Sequence, residues 1–514
     1  MRKHITTLIF ALGAWALLVW HSGYRFGTGD HVEYLPYVNY ILDNSLYQHD
    51  FFLQGLIEKV PNERTVVCET FSLFGSYLEP ALFALHILFT VLLIVGMQLL
   101  GTVLTGSIGI ARIAILLNFM LFFNHALGDV ELYSDALQGS SMAVGIIAFA
   151  LYYFFRARYI LAFGFISLAS IIHPVEGLTV FLVMASTAVV LALQKQIVFA
   201  ELAKALALYV FTAGLFIAYF LMGKLDGINA LASTFDNDTF FLIYHEFRHS
   251  HHYLFSHQLG VDKLLFAVFI AVGFWAGSTN KKLFWFTLFS LLGTITYVLC
   301  SDYLHVVDIA NLQFYKVSQW VKYIGLLFMV KYALAYLPIV KQLVENMWLN
   351  VAATVCTVAI VISLYFNPNT VGRQYAYYEF GHDWKKQNDM VDISLLIDRT
   401  IDKQAVFVQP FSTTELKYFG KVSSYVDWKA FLKNRGALYE WYRRIQLVYG
   451  VSIADKEKGF FLQQKADAHY AKLSTAALQQ LKQEGVTHLL LKKDASPGTG
   501  TLILQNDTYA VYQL

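Results

Sequence analysis

Charge is scarce in this chain. Lys, Arg, Asp and Glu supply 14% of its 514 residues, against about 25% in an ordinary soluble domain. That shortage excludes a water-soluble protein. Net charge is nearly absent too, because 38 basic side chains offset 36 acidic ones and leave +2, so no global field directs the chain to nucleic acid. Cysteine is limited to Cys68, Cys300 and Cys356, which excludes a disulfide framework and a cysteine-rich metal site. Internal repeats and low-complexity tracts are missing, and so is a phosphate-binding glycine loop, the usual mark of a nucleotide site. What is abundant is apolar: 57% of the residues are hydrophobic, 16% are aromatic, and the mean hydropathy is +0.50. This is the composition of a multi-spanning membrane protein.

The first apolar run, Ile5 to Trp20, follows Met1-Arg2-Lys3-His4 and precedes His21-Ser22-Gly23-Tyr24-Arg25. No small-residue cleavage site follows it, so it reads as a retained signal-anchor helix. Further runs able to cross about 30 Å of hydrocarbon lie near 81–100, 108–123, 139–155, 159–172, 177–193, 203–222, 262–278, 283–300, 319–340 and 347–365. The expected total is about eleven spans; 108–123 and 159–172 are short enough to be tilted, extended or broken. Lys and Arg placement sets the orientation. With the N-terminus inside, Arg156, Arg158, Lys195, Lys204, Lys281, Lys282 and Lys341 fall on brief inner loops. Everything long then faces outward: 21–80, 124–138, 223–261, 301–318 and the tail from 366.

The tail is polar and mixed. Strand-like runs at Ala405–Gln409, Val422–Val426, His488–Leu491, Thr501–Leu504 and Tyr509–Tyr512 alternate with helical patterns at Trp428–Leu432, Leu438–Tyr449 and Thr475–Glu484. That alternation predicts a small α/β domain. The fold expected is therefore mainly α: a polytopic helical bundle over 1–366, with 21–80 as its first outer loop, and an extracytoplasmic α/β domain over 367–514.

Ionisable residues near membrane depth are costly and mark functional sites, and here they gather on one face. Gly29-Asp30-His31-Val32-Glu33-Tyr34-Leu35-Pro36 opens what reads as a short interfacial helix. Asp30 lies at its positive end, as a general base, a cation ligand or simply a cap, and Glu33 could assist it. Asp129, Glu131 and Asp135 follow the third span. Three acids on a short loop call for a positive partner, a divalent metal or a basic group, unless they all point to water. In Ile172-His173-Pro174-Val175-Glu176-Gly177, Pro174 and Gly177 break the helix, so that His173 and Glu176 face a cavity or a plain turn. Five of the 16 histidines lie between 245 and 257. His245-Glu246-Phe247-Arg248-His249 matches a zinc-protease string, but the segment reads as a polar outer loop with no helix to carry it. Arg248 with His249, His251 and His252 suits a phosphate better. Lys316 stands at the outer mouth of the tenth span, either at the depth of a lipid phosphate or as a snorkelling lysine.

With these residues in view, the chain resembles the GT-C superfamily of membrane glycosyltransferases. The resemblance rests on the first outer loop with Asp30, on the second acidic loop, on the span count and on the extracytoplasmic tail. Family members often carry an acidic doublet in the first loop; here it is Asp30-His31, with the second acid displaced to Glu33. The resemblance implies transfer of a sugar from a polyprenyl-phosphate carrier to a glycan, lipid or protein acceptor, at the outer face of a bacterial cytoplasmic (inner) membrane. Asp30, with Glu33, would be catalytic. Asp129 and Glu131 would form the second acidic motif and hold a divalent metal, Mg or Mn. Arg248, His249, His251, His252 and Lys316 would receive the donor phosphate, and His31, His173 and Glu176 would line the cavity. Membrane lipids are expected neighbours and nucleic acid is not. The rival expectations are a secondary transporter, a flippase or ligase for lipid-linked glycans, and a scaffold whose tail binds a partner through segments such as Asp427-Trp428-Lys429.

Overall fold

The computed structural model describes residues 2–58, 60–122, 125–219, 236–336 and 388–514. The expected span at 347–365, the end of the one at 319–340 and the start of the tail lie outside them. The chain divides into two compact units.

The first unit comprises the described parts of Met1–Tyr24, Leu82–Tyr219 and His251–Ala376. It is helical throughout, and six helices that belong to it wholly or in large part are long and apolar enough to cross a membrane: Ile5–Ser22, Gly75–Thr105, Pro174–Leu193, Phe199–Tyr219, Gly260–Gly277 and Lys281–Tyr303. Ile108–Met120, Gly139–Phe155 and Tyr159–Ile172 are apolar but shorter, and Ser318–Ala335 forms a further, largely buried helix. In lipid the hydrophobic effect does not press helices together, so close approach of small residues matters. A methyl group at Gly96 would come within 2.6 Å of the Ala148 Cβ. The ionisable Arg112 is buried within the bundle. Arg112 donates to Gln98 Oε1 at 3.1 Å and to the Thr6 carbonyl at 2.9 Å, and its guanidinium covers the Phe10 ring at 5.0 Å.

The expected break at His173–Gly177 is half right. The Tyr159–Ile172 helix ends there and a new helix begins at Pro174, because proline's missing N–H costs nothing at a helix start. His173 caps that helix. Gly177 does not break it; it lies in the first turns, where a Cβ would meet Ser170 Oγ at 2.2 Å.

The second unit joins three separated stretches, the described parts of Arg25–Ala81, Phe220–Ser250 and Tyr377–Leu514. The tail therefore does not stand alone. Its sheet contains β1 (Val406–Val408), β2 (Ser423–Ser424), β3 (His488–Lys492), β4 (Thr501–Gln505) and β5 (Tyr509–Gln513), in the order β2-β1-β3-β5-β4. β1 runs parallel to β2 and β3, and β5 runs antiparallel to β3 and β4. Met390, Ile393 and Ile397 from the Asp389–Thr400 helix close one face over Phe407, Leu490 and Val511. The Arg435–Tyr449 helix buries Leu438, Trp441, Ile445 and Val448 at helical spacing. It starts at an Asn434 cap and stops at Gly450, whose φ of 61° gives the left-handed turn that ends helices.

Two local expectations fail here. Trp428–Leu432 is not helical; its apolar residues are buried from a non-helical path instead. The histidine segment is not an open polar loop. Asn237–Phe241 runs on into a wide turn of helix over Leu242–Arg248, then Ser250–Tyr253, because Phe240, Phe241, Ile243, Tyr244 and Phe247 give that stretch an apolar face to bury.

Candidate functional site

In the second unit, Gly29–Glu33 forms a single tight turn and Leu35–Leu42 the short helix after it, with Pro36 in the helix's first turn. The turn is pinned from two sides. The Gly29 N–H donates to Thr414 Oγ1 at 2.9 Å, and the Gly27 N–H donates to His31 Nδ1 at 3.0 Å. His31 is thereby buried against the Phe26 ring. Asp30 is left at the rim, its side chain 42% exposed and its Oδ1 2.7 Å from Lys429 Nζ. Beside it runs an alternating chain of charge. Glu33 accepts from Arg64 Nε at 3.0 Å, Arg64 also reaches Glu63 at 2.8 Å, and Lys433 lies 3.7 Å from Glu63. Burial works against the Arg64 charge, but Glu33 and Glu63 outweigh it and hold its pKa above the ordinary range. A half-exposed carboxylate touching an ammonium can accept a proton and sit next to an anionic group at once.

Arg248 and His249 belong to the same unit in another setting. The Arg248 guanidinium is 2% exposed, and its Nε donates to the Trp428 carbonyl at 2.8 Å. It covers the rings of Trp428 at 4.8 Å and Phe431 at 5.5 Å. His249 packs on Phe431 and Tyr244. Arg248 is thus committed to anchoring its helix on the tail.

The remaining expected residues lie in the first unit. Gly128 and Asp129 form a corner with φ of 80° and 50°. Gln258 accepts from the Gly128 N–H at 2.8 Å, and His252 Nδ1 donates to its carbonyl at 2.8 Å. His251 lies beside His252, ring centroids 4.0 Å apart. Asp129 is exposed, and Glu131 is half-buried. Lys322 sits in the field of Glu131 and Asp262 and donates to the Phe122 carbonyl at 2.8 Å. Glu176, 2% exposed, pairs with Lys316 at 2.8 Å and accepts from Gln319 at 3.0 Å. His173 Nδ1 accepts from the Glu176 N–H at 3.2 Å.

No group of three or more His, Cys, Asp or Glu side chains able to hold a metal ion occurs among the described residues.

Lys429, Arg64 and Lys322 escape a reading of the sequence. Each is a single cation with an acid remote in the chain beside it: Asp30, Glu33 and Glu131 respectively. Only Lys429 carries a hint, through its place in Asp427-Trp428-Lys429, where aromatics stand beside charges. Trp428 and Asp427 are buried all the same.

Residues 388–448 match the model of a family described as a domain of unknown function, DUF6798. No curated protein matches the chain.

Proposed function

We propose that this chain is a membrane glycosyltransferase of the GT-C kind, moving a sugar from a lipid phosphate carrier to an acceptor at the extracytoplasmic face. The observation that carries the reading is the Asp30–Lys429 pair, a half-exposed carboxylate and ammonium at 2.7 Å on a pinned turn. Glycosyl transfer from a phosphate donor asks for two things: a base for the acceptor hydroxyl and positive charge for the departing phosphate. Asp30 supplies the first and Lys429 the second. The phosphate needs no general acid, because it already leaves as an anion.

Topology supports the same reading. With about eleven spans and the N-terminus inside, an even number of crossings separates 21–80 from 223–261, and 223–261 from the tail. These are the stretches that build the second unit, and on that count they share the outer side. Glu33 and Arg64 act as a brace for the turn. In the first unit, Asp129 and Glu131 retain the part of a second acidic motif, and Lys316, His251 and His252 that of phosphate neighbours.

The test is a sugar-transfer assay on the purified, reconstituted chain with lipid-linked donors. Asp30→Asn is expected to lower kcat by at least about 100-fold, and Lys429→Ala to weaken donor use without loss of fold. Full activity in Asp30→Asn sinks the proposal.

One observation favours a secondary transporter. Glu176 and Lys316 form a buried ion pair in the helical unit, as expected on an ion or substrate path. Substrate counterflow in proteoliposomes that depends on Glu176 and not on Asp30 would select that reading.

A further inference from the structure

A triad of charged side chains in the second unit is closed off from water. Lys417 and Asp50 are 0% exposed and Asp427 is 2% exposed. Lys417 Nζ reaches the two oxygens of Asp50 at 3.0 and 3.1 Å, and it also touches Asp427 Oδ2. Asp427 Oδ1 accepts from Gln409 Nε2 at 2.5 Å. The Phe52 ring covers the ammonium at 5.3 Å. Gln409 follows β1 and Asp427 follows β2. Both stand beyond the carboxyl ends of parallel strands, the place where reacting groups gather in open α/β sheets.

The two acids are not equivalent. Asp50 accepts the Leu53 N–H at 2.8 Å on Oδ1 and the Ser424 N–H at 2.9 Å on Oδ2, which fixes both oxygens beside Lys417. For Asp427, burial pushes the carboxyl upward, and Lys417 only partly opposes that. Lys417 Nζ therefore lies between a carboxyl pushed toward its neutral form and a carboxylate whose two oxygens both lie within 3.1 Å of it.

We propose that Lys417 Nζ and Asp427 Cγ join in an intramolecular isopeptide bond, with Asp50 as the proton carrier. Nζ passes a proton to Asp50, and the free amine attacks Asp427 Cγ. Charge gathers on Oδ1, where Gln409 donates. The Cγ–Oδ2 bond then breaks, and Oδ2 leaves as water with its own proton and the one Asp50 carries. Nζ gives Asp50 a second proton, which Asp50 keeps, and the last stays on the amide nitrogen. No oxidant, cofactor or outside reactant is needed. The driving force is local: condensation replaces buried charges by neutral groups and so removes their desolvation cost. The base comes from the first outer stretch, and the amine and acid come from the tail. The bond forms only after those stretches have assembled.

The test is peptide mass spectrometry of the full-length purified chain. Trypsin is expected to leave Lys417 uncut and to release residues 404–421 joined to 422–429, lighter than the two peptides together by one water. Lys417→Arg and Asp427→Ala are expected to abolish the joined species, and Asp50→Asn to reduce it at least about tenfold. Wild-type chain with Lys417 cleaved, and residues 404–417, 418–421 and 422–429 each recovered at full mass, overturns the proposal, and that readout needs no variant to fold. A joined species at wild-type yield in Asp50→Asn overturns the part given to Asp50.

Discussion

Arg248 separates two accounts of the histidine-rich stretch. A phosphate clamp would lie in contact with its ligand and affect donor binding; an anchor would affect stability. Arg248→Ala removes a guanidinium that is 2% exposed and is held by the Trp428 carbonyl at 2.8 Å and by the rings of Trp428 and Phe431. A hydrogen bond from a charged group contributes about 1.5–3 kcal/mol, a desolvated cation–π contact about 2 kcal/mol, and the vacated volume adds a cavity term. These losses share the same atoms and do not add. A net cost of about 3–5 kcal/mol is expected. For a unit of this size, that lowers the melting temperature by roughly 6–20 °C. Tryptophan emission of the full-length chain in detergent reads the change directly, because Trp428 and Trp441 lie 5.5 Å apart beside the cage. Arg248→Lys keeps the charge but loses the planar fork and is expected to recover about half the loss. If Arg248→Ala melts within about 1 °C of wild type and loses only donor affinity, the anchoring argument is wrong and the clamp is right.

In the first unit, Lys316→Ala leaves Glu176 buried without its cation and is expected to cost about 3–5 kcal/mol, whereas the double variant Glu176→Gln with Lys316→Met recovers most of it in a thermal-melt cycle. Gly128→Ala is expected to cost about 2–4 kcal/mol by the same assay, since its φ is 80° and a Cβ would come within 2.7 Å of the Tyr315 Cβ. Glu484 is drawn from an ordinary 4.5 to about 2, chiefly by hydrogen bonds from Arg443, against a smaller burial effect. Its folded-state value lies below the unfolded one, so the pairing contributes above pH 4.5 and fades as pH falls through about 2. Because the group is partly exposed to solvent, about 1 kcal/mol is expected. A melting-temperature profile on the acid side should flatten in Glu484→Gln, and an unchanged profile contradicts this.

Local patterning was legible because it depends on near neighbours. All five strand runs appear within two residues of their expected ends, and the Leu438–Tyr449 pattern is the core of a helix that starts at Arg435. The failures share one cause. Trp428–Leu432 has helix-compatible spacing, yet its residues are held by Arg248, distant in the chain, and by the Trp441 ring. The 237–253 stretch looked open because histidines are polar; buried aromatics around His245 and His249 supply the environment that hides them. Asp30 and Glu33 in the second unit and Glu176 in the first could be named in advance, since an acid beside a helix start stands out. Their cations, Lys429, Arg64 and Lys316, are paired by tertiary folding, and only Lys316 was singled out.

The second unit has a timetable as well as a shape. Asp50 is made early, and its partner Lys417 emerges 367 residues later. At about 5–20 residues per second, that is a wait of roughly 20–70 s. During the wait, the 51–57 helix lacks the tail residues that pack on it, Leu432 against Gly55 among them. A chain stopped short of the tail lacks the amine and the second acid that close around Asp50.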